Sequence, residues 1–73
     1  MQDQIVKPEA VHLINQFVEE RGIKKAWIAS QVGVQRASFS RWMSGKWKPS
    51  LEARRKIEEV TNGVVPAAAW EIK

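Results

Sequence analysis

The sequence predicts an all-α fold, a compact bundle of four to five short helices in a single domain of 73 residues. Apolar residues recur at three- and four-residue spacing, which is the periodicity of one buried helical face. Glycine and proline stand at the ends of these periodic stretches, where they stop and start helices. No stretch alternates convincingly between apolar and polar residues, so we expect at most one short extended piece, at residues 63–65.

The composition excludes several classes of site. A chain of this length has room for one core and no second domain. It contains no cysteine and one histidine, His12, which excludes disulfides, thiolate metal sites and clusters of imidazoles, and we expect no metal or cofactor. No segment is long and apolar enough to span a bilayer, and residues 1–4 lack the basic start of a signal peptide. We therefore expect a cytoplasmic protein.

The first predicted helix begins at Pro8, whose missing N–H costs nothing in the first turn. Its buried face consists of Ala10, Val11, Ile14, Phe17 and Val18. His12 falls on the polar side or at its margin, where an ordinary surface histidine is expected. Gly22 ends the helix after Arg21.

The second and third helices are predicted at about 24–32 and 35–44. Gly33 ends the second helix, because glycine readily adopts the left-handed conformation that turns the chain sharply. Phe39, Trp42 and Met43 form the inward face of the third helix, and Gly45 closes it.

A fourth helix follows Ser50, a good N-cap residue. Its predicted buried side contains Leu51, Ile57 and Val60, and its solvent side contains Arg54, Arg55 and Lys56. The pair at 62–63 ends this helix, and Pro66 opens a last short helix within a C-terminal extension at 64–73. Four residues of that extension are candidates for self-association, although the last of them could instead cap the core: Val64, Val65, Ala68 and Trp70.

The positive charge is concentrated in the middle of the chain. Residues 21–56 contain ten basic residues and one acidic residue, Glu52, whereas the two ends together have a net charge of −5. Clustered lysine and arginine favour a polyanionic partner, since they release counterions from phosphates. A solvated surface balanced through space is the alternative.

Residues 29–42 contain the pattern of small, turn-forming and apolar residues that two short, steeply crossing helices require. Ala29 is small because the other helix of the pair passes close to it, Gly33 makes the turn, and Phe39 holds the pair to the core. This stretch resembles the Cro/cI-type (Xre) helix-turn-helix regulators of phages and bacteria, and the resemblance extends over about two thirds of the chain, residues 23–70. The matching residues are Ile28, Ala29, Val32, Gly33, Val34, the run 37–42, Gly45, Pro49, Ser50 and the run 57–63. Three residues depart from the family's usual pattern: Lys25, Trp27 and Phe39.

The resemblance implies a lambda-repressor-like domain that binds specific sequences of double-stranded DNA through its third helix. The implied base-reading residues are Gln35, Arg36, Ala37, Ser40 and Arg41. The implied phosphate-binding residues are Lys25, Ser44, Lys46, Trp47 and Lys48, with Lys24, Arg54 and Arg55 as further candidates. A homodimer of this kind would occupy a near-palindromic operator of roughly 12–20 base pairs and block polymerase as a repressor. No small-molecule ligand is expected.

Several alternatives stay open. Gln35 could contact phosphate instead of a base, and Trp47 could pack against the helical body instead of contacting DNA. An antitoxin that represses its own operon, or a helix-turn-helix module used for protein interaction, would have a similar sequence. An enzyme is disfavoured, because His12 has no evident catalytic partner and no glycine-rich phosphate loop is present. RNA binding is disfavoured because no aromatic stacking platform on a sheet is predicted.

Overall fold

The computed structural model of the protein describes residues 7–71. In this range it contains four α-helices, followed by a 3₁₀ helix, and none of these residues lies in a β-strand. The α-helices are α1 (Glu9–Arg21), α2 (Lys25–Val32), α3 (Arg36–Met43) and α4 (Leu51–Val60), and the 3₁₀ helix is Ala67–Trp70. The all-α prediction is confirmed with four α-helices, and the fifth predicted helix is present only as one turn of 3₁₀ helix.

Three helices begin one residue later than predicted. Pro8, Lys24 and Gln35 have extended backbones and stand immediately before α1, α2 and α3. Each nevertheless accepts a first-turn hydrogen bond through its carbonyl, as Pro8 does from the Val11 N–H at 3.0 Å. An N-cap residue has this half-helical character.

Glycine makes the turn between α2 and α3. Gly33 has a φ of 88°, a left-handed conformation that other residues adopt only with strain. Its N–H and that of Val34 both donate to the Ala29 carbonyl, at 2.9 and 3.0 Å. These bonds satisfy the carbonyl at the end of α2 and reverse the chain within three residues.

The core lies at the junction of all the helices. Its buried members are Ala10, Val11, Ile14, Phe17, Val18, Ile28, Ala29, Phe39, Met43, Ile57, Val65, Ala69 and Trp70. The α2 helix packs against α1, α3 and α4, and the 3₁₀ helix packs against α1 and α4. Trp42, predicted to lie in the core, is only half-buried and packs at its edge.

The C-terminal segment is part of this core. Val65 and Trp70 have no exposed surface, so their prediction as self-association residues is wrong. Val64 and Ala68 are exposed. Buried Thr61 holds the segment in place, since its hydroxyl donates to the Ile57 carbonyl at 2.8 Å and accepts the Val65 N–H at 3.1 Å.

The buried and solvent sides of α4 agree with the prediction only in part. Ile57 is buried as predicted and Val60 is half-buried, but Leu51 is 55% exposed. Six residues of helix separate Leu51 from Ile57, which places their side chains about 120° apart around the axis. The prediction that Leu51 is buried is therefore wrong. Arg54, predicted on the solvent side, is half-buried beside Glu71.

None of the helices between residues 7 and 71 is long and apolar enough to cross a membrane. Residues 1–4, in which no signal peptide is predicted, lie outside the described range. So do residues 72–73 of the predicted C-terminal extension.

Candidate nucleic-acid interface

The α3 helix has one buried side and one exposed side. Phe39 and Met43 lie in the core, with 3% and 9% exposure. Trp42 packs edge-on against Phe39, with ring centroids 6.0 Å apart and ring planes at 64°. Four other residues of α3 are exposed: Arg36, Ala37, Ser40 and Arg41. Core packing thus fixes the rotation of α3 and the direction in which these four residues project.

Gln35 stands at the start of this face. It is exposed, and its backbone carbonyl accepts the Phe39 N–H at 3.1 Å. Its side chain does not cap α3. The Gln35 amide can therefore reach either a base edge or a phosphate, and both alternatives stand.

A cleft of about 190 Å³ lies between the start of α2 and α3. Lys25, Arg36 and Ser40 line it together, so the fold brings a predicted phosphate-binding residue beside two predicted base-reading residues. Ala29 forms part of its lining, and this small side chain allows α3 to lie close to α2. Trp27, which departs from the family pattern, is 44% exposed and does not line the cleft.

The loop after α3 contains the next predicted phosphate-binding residues. The Ser44 hydroxyl donates to the Arg41 carbonyl at 2.8 Å and accepts the Lys46 N–H at 3.4 Å. The hydroxyl hydrogen of Ser44 is therefore already donated to the backbone at the end of α3. Lys46 is exposed. Trp47 is 60% exposed, so most of its surface does not pack against the helical body.

Lys48 and Arg54 share an acidic partner, Glu71, that the sequence did not predict. The Lys48 ammonium lies 3.9 Å from Glu71, and the Arg54 guanidinium lies 2.6 Å from the same carboxylate. Arg54 also donates to the Pro49 carbonyl at 3.0 Å, and its side chain is only 16% exposed. These contacts within the protein therefore fix the position of the Arg54 side chain. The Lys48 side chain is 47% exposed, and such a surface pair is weak enough to exchange for a phosphate.

No acidic residue interrupts the basic surface of α2, α3 and the following loop, since residues 22–51 contain no aspartate or glutamate. Within residues 7–71 the only ion pairs are those of Glu71, so Lys25, Arg36, Arg41 and Lys46 have no acidic partner there. This stretch is positive, and its charges are available to an anion.

The N-terminus of α2 is a feature that the sequence reasoning missed. Lys24 precedes it without a side-chain cap, and the first turn contains no acidic residue. The first N–H groups of such a helix end attract anions. The sequence indicates this uncapped helix end by a lysine in the N-cap position, where serine or aspartate is usual.

The described residues contain no group of three or more histidine, aspartate or glutamate side chains that could hold a metal ion. Comparison of the chain with protein-family models, curated proteins and solved structures finds no match.

Proposed function

We propose that the protein is a sequence-specific double-stranded DNA-binding regulator, a repressor of Cro type that acts as a homodimer. In this proposal α2, the turn at Gly33 and α3 form a helix-turn-helix, and α3 enters the major groove. The observation that carries the proposal is the exposed side of α3. It presents two arginines without acidic neighbours on a helix whose other side is fixed in the core.

Arg36 and Arg41 are the proposed main base readers. Each guanidinium can donate two hydrogen bonds to O6 and N7 of a guanine, which is worth about 1–3 kcal/mol of discrimination. The two residues are five positions apart, so they are separated by about 7.5 Å along the helix axis. Gln35, Ala37 and Ser40 complete the reading surface.

Phosphate contacts are proposed on both sides of α3. Lys25 and the N-terminus of α2 lie beside the cleft at one side. Lys46, Trp47 and Lys48 follow the other end of α3. Contacts of this kind fix the register of a protein on the duplex, while the base contacts select the sequence.

Repression would follow from occupancy. Two copies reading half-sites one helical turn apart, about 34 Å, would cover a near-palindromic site of roughly 12–20 base pairs. A bound dimer would then exclude polymerase from an overlapping promoter. A module used only for protein interaction is less well supported, because the exposed side of α3 carries no large apolar residue.

The test is selection of randomised duplexes by the purified protein, followed by sequencing. We expect enrichment of a two-fold symmetric site that contains G·C pairs. The same selection with Arg36→Ala or Arg41→Ala should relax the preference at one position of each half-site. Binding that salt abolishes, without enrichment of any sequence, would reject sequence-specific reading and leave only a basic surface.

A further inference from the structure

We infer that Arg54 and Glu71 form a clamp that holds the loop between α3 and α4 in the position required for DNA binding. The inference rests on the proposed function, since this loop, residues 44–50, contains three of the proposed phosphate-contacting residues: Lys46, Trp47 and Lys48. Arg54 is thereby assigned as a positioning residue that acts through the loop, and not as a phosphate ligand. An acidic residue, Glu71, is assigned a role that supports the binding of an anion.

The second half of the loop is attached to α4 through Arg54. The backbone N–H groups of Trp47 and Lys48 donate to no other residue of the described range 7–71. The next residue, Pro49, is fully buried, and its carbonyl accepts a hydrogen bond from the Arg54 Nε at 3.0 Å. Arg54 therefore fixes the backbone immediately after the phosphate-contacting residues.

Glu71 holds the Arg54 guanidinium in this position. The Arg54 Nη1 donates to the Glu71 Oε2 at 2.6 Å, and the Arg54 side chain is only 16% exposed. Glu71 follows the fully buried Trp70, and its own N–H donates to the Ala68 carbonyl at 3.1 Å. The core thus fixes the backbone from which Glu71 reaches Arg54. Hydrogen bonds between ionised partners are stronger than neutral ones, and partial burial reduces their screening by salt.

The contacts of Arg54 compete with a direct role in phosphate binding. A phosphate could bind this guanidinium only if Arg54 gave up its bond to Glu71. Lys56, two residues further along α4, is exposed and forms no ion pair with another residue between positions 7 and 71. Substitution of Lys56 therefore measures the loss of one positive charge from α4 without loss of the clamp.

Glu71 also has a weaker contact that opposes DNA binding. Its Oε1 lies 3.9 Å from the Lys48 Nζ, and both side chains are about half exposed. Such a surface pair contributes little and is broken when a phosphate binds Lys48. Removal of Glu71 therefore has two effects of opposite sign, the loss of the clamp and the release of Lys48, and the experiment has to separate them.

The first measurement is nitrogen-15 relaxation of the free, full chain, which reports the mobility of the loop without DNA. In Arg54→Gln the amide order parameters of residues 46–48 should fall below about 0.6, the range of a flexible backbone. Glu71→Ala should lower them in the same direction, whereas Lys56→Gln should leave them unchanged. Arg54→Lys keeps the charge without the forked donors and should lower them in part. Circular dichroism should verify that each variant retains its helices.

The second measurement is a double-mutant cycle of Arg54→Gln and Glu71→Ala, read as affinity for the duplex that the randomised selection enriches. The effect of Glu71→Ala on affinity should be about fivefold less favourable with Arg54 present than in the Arg54→Gln background. Without the clamp the duplex must order the loop, which costs backbone entropy. In the Arg54→Gln background the clamp is already lost, so Glu71→Ala should not weaken binding further. The release of Lys48 is common to both backgrounds and cancels.

Three results would overturn the inference. If Arg54 binds a phosphate directly, Glu71→Ala frees it, and the cycle then has the opposite sign, with tighter binding when Arg54 is present. If Glu71→Ala changes the affinity by the same factor in both backgrounds, the two residues do not act together. If the order parameters of residues 46–48 are unchanged in Arg54→Gln, the loop does not depend on the clamp.

The relaxation measurement needs no DNA and separates this inference from the proposed function. A protein that binds no duplex, but whose loop becomes mobile in Arg54→Gln and not in Lys56→Gln, would reject the proposed function and retain the clamp. A protein that binds its selected duplex and gives an additive cycle would reject the clamp alone.

Discussion

Arg36 and Arg41 differ in their surroundings although both are exposed. Arg36 is the first residue of α3 and lines the cleft beside Lys25. Arg41 lies in the last turn of α3, where its backbone carbonyl accepts a hydrogen bond from Ser44. Both side chains can reach a base edge, and substitutions can separate the effect of their charge from that of their fork-shaped hydrogen bonding.

Arg36→Lys and Arg41→Lys keep the charge and lose the paired hydrogen bonds to guanine. We expect each to weaken binding to the selected operator by about 1–3 kcal/mol while binding to unrelated duplexes stays nearly unchanged. The alanine variants should lose affinity for both kinds of duplex. Fluorescence anisotropy with the two duplexes measures the difference. An equal loss on both duplexes in a lysine variant would show that the arginine reads no base.

Substitutions of Trp70 and of Trp47 should differ strongly in their effect on stability. Trp70 is completely buried, and its indole N–H has no hydrogen-bond partner among the described residues. Trp70→Ala should cost about 3–5 kcal/mol, enough to unfold much of so small a domain. Trp70→Phe should cost far less, because it also removes the unpaired polar group. Trp47→Ala is the control, since Trp47 is 60% exposed. Urea unfolding followed by circular dichroism measures all three, and a destabilising Trp47→Ala would contradict the exposed position.

At the scale of the elements, hydrogen bonds at the helix ends fix the connections. Ser50 caps α4 by accepting the Ala53 N–H at 3.2 Å. Glu58 reaches out of α4 and accepts the Ala67 N–H at 3.1 Å, at the start of the 3₁₀ helix. Thr61 joins the end of α4 to Val65. These contacts fold the C-terminal segment back onto the core.

Thr61→Val tests this connection with a side chain of nearly the same shape. It removes the hydroxyl and leaves the buried Val65 N–H without its acceptor, so we expect a loss of about 1–3 kcal/mol in the free energy of unfolding. Thr61→Ser retains the hydroxyl and should recover most of that loss. Chemical unfolding of the three proteins is the measurement. Equal stability of the valine and serine variants would show that the hydrogen bond contributes nothing.

For the whole molecule, the arrangement of charge decides how binding depends on salt. The basic residues of α2, α3 and the following loop have no acidic residue among them, because all eight acidic residues lie outside residues 21–51. Each phosphate contact releases counterions, so the salt dependence of binding counts such contacts.

Lys25→Ala should weaken binding to all duplexes by a similar factor. It should also make the slope of log K against log salt shallower by about 1, since one phosphate contact is lost. Arg21→Ala is the matched control. It also removes one positive charge, but the Arg21 guanidinium lies 4.6 Å from the centre of the Phe17 ring, so the slope should stay close to that of the unchanged protein. Titrations at several salt concentrations measure both slopes. An unchanged slope for Lys25→Ala would remove Lys25 from the interface.

Most helix positions could be predicted because their signals are local. Gly22 and Gly33 end helices in the left-handed conformation, and Ser50 caps α4 as expected. The exposure of Leu51 and the ion pair of Arg54 could not be predicted in this way. The first depends on the rotation of α4 against its neighbours, and the second on Glu71, which is 17 residues further along the chain.

The sequence by itself determined the all-α class, the order of the helices, the inward residues of α1, and Phe39 and Met43 on the inward side of α3. Apolar periodicity and helix-ending residues act within a few positions, so no distant contact is needed to place them. Only the tertiary structure decided that Trp70 and Val65 belong to the core, that Arg54 is held by Glu71, and that Lys25 lies beside Arg36. These outcomes depend on how the helices pack, and packing joins residues that no local pattern connects.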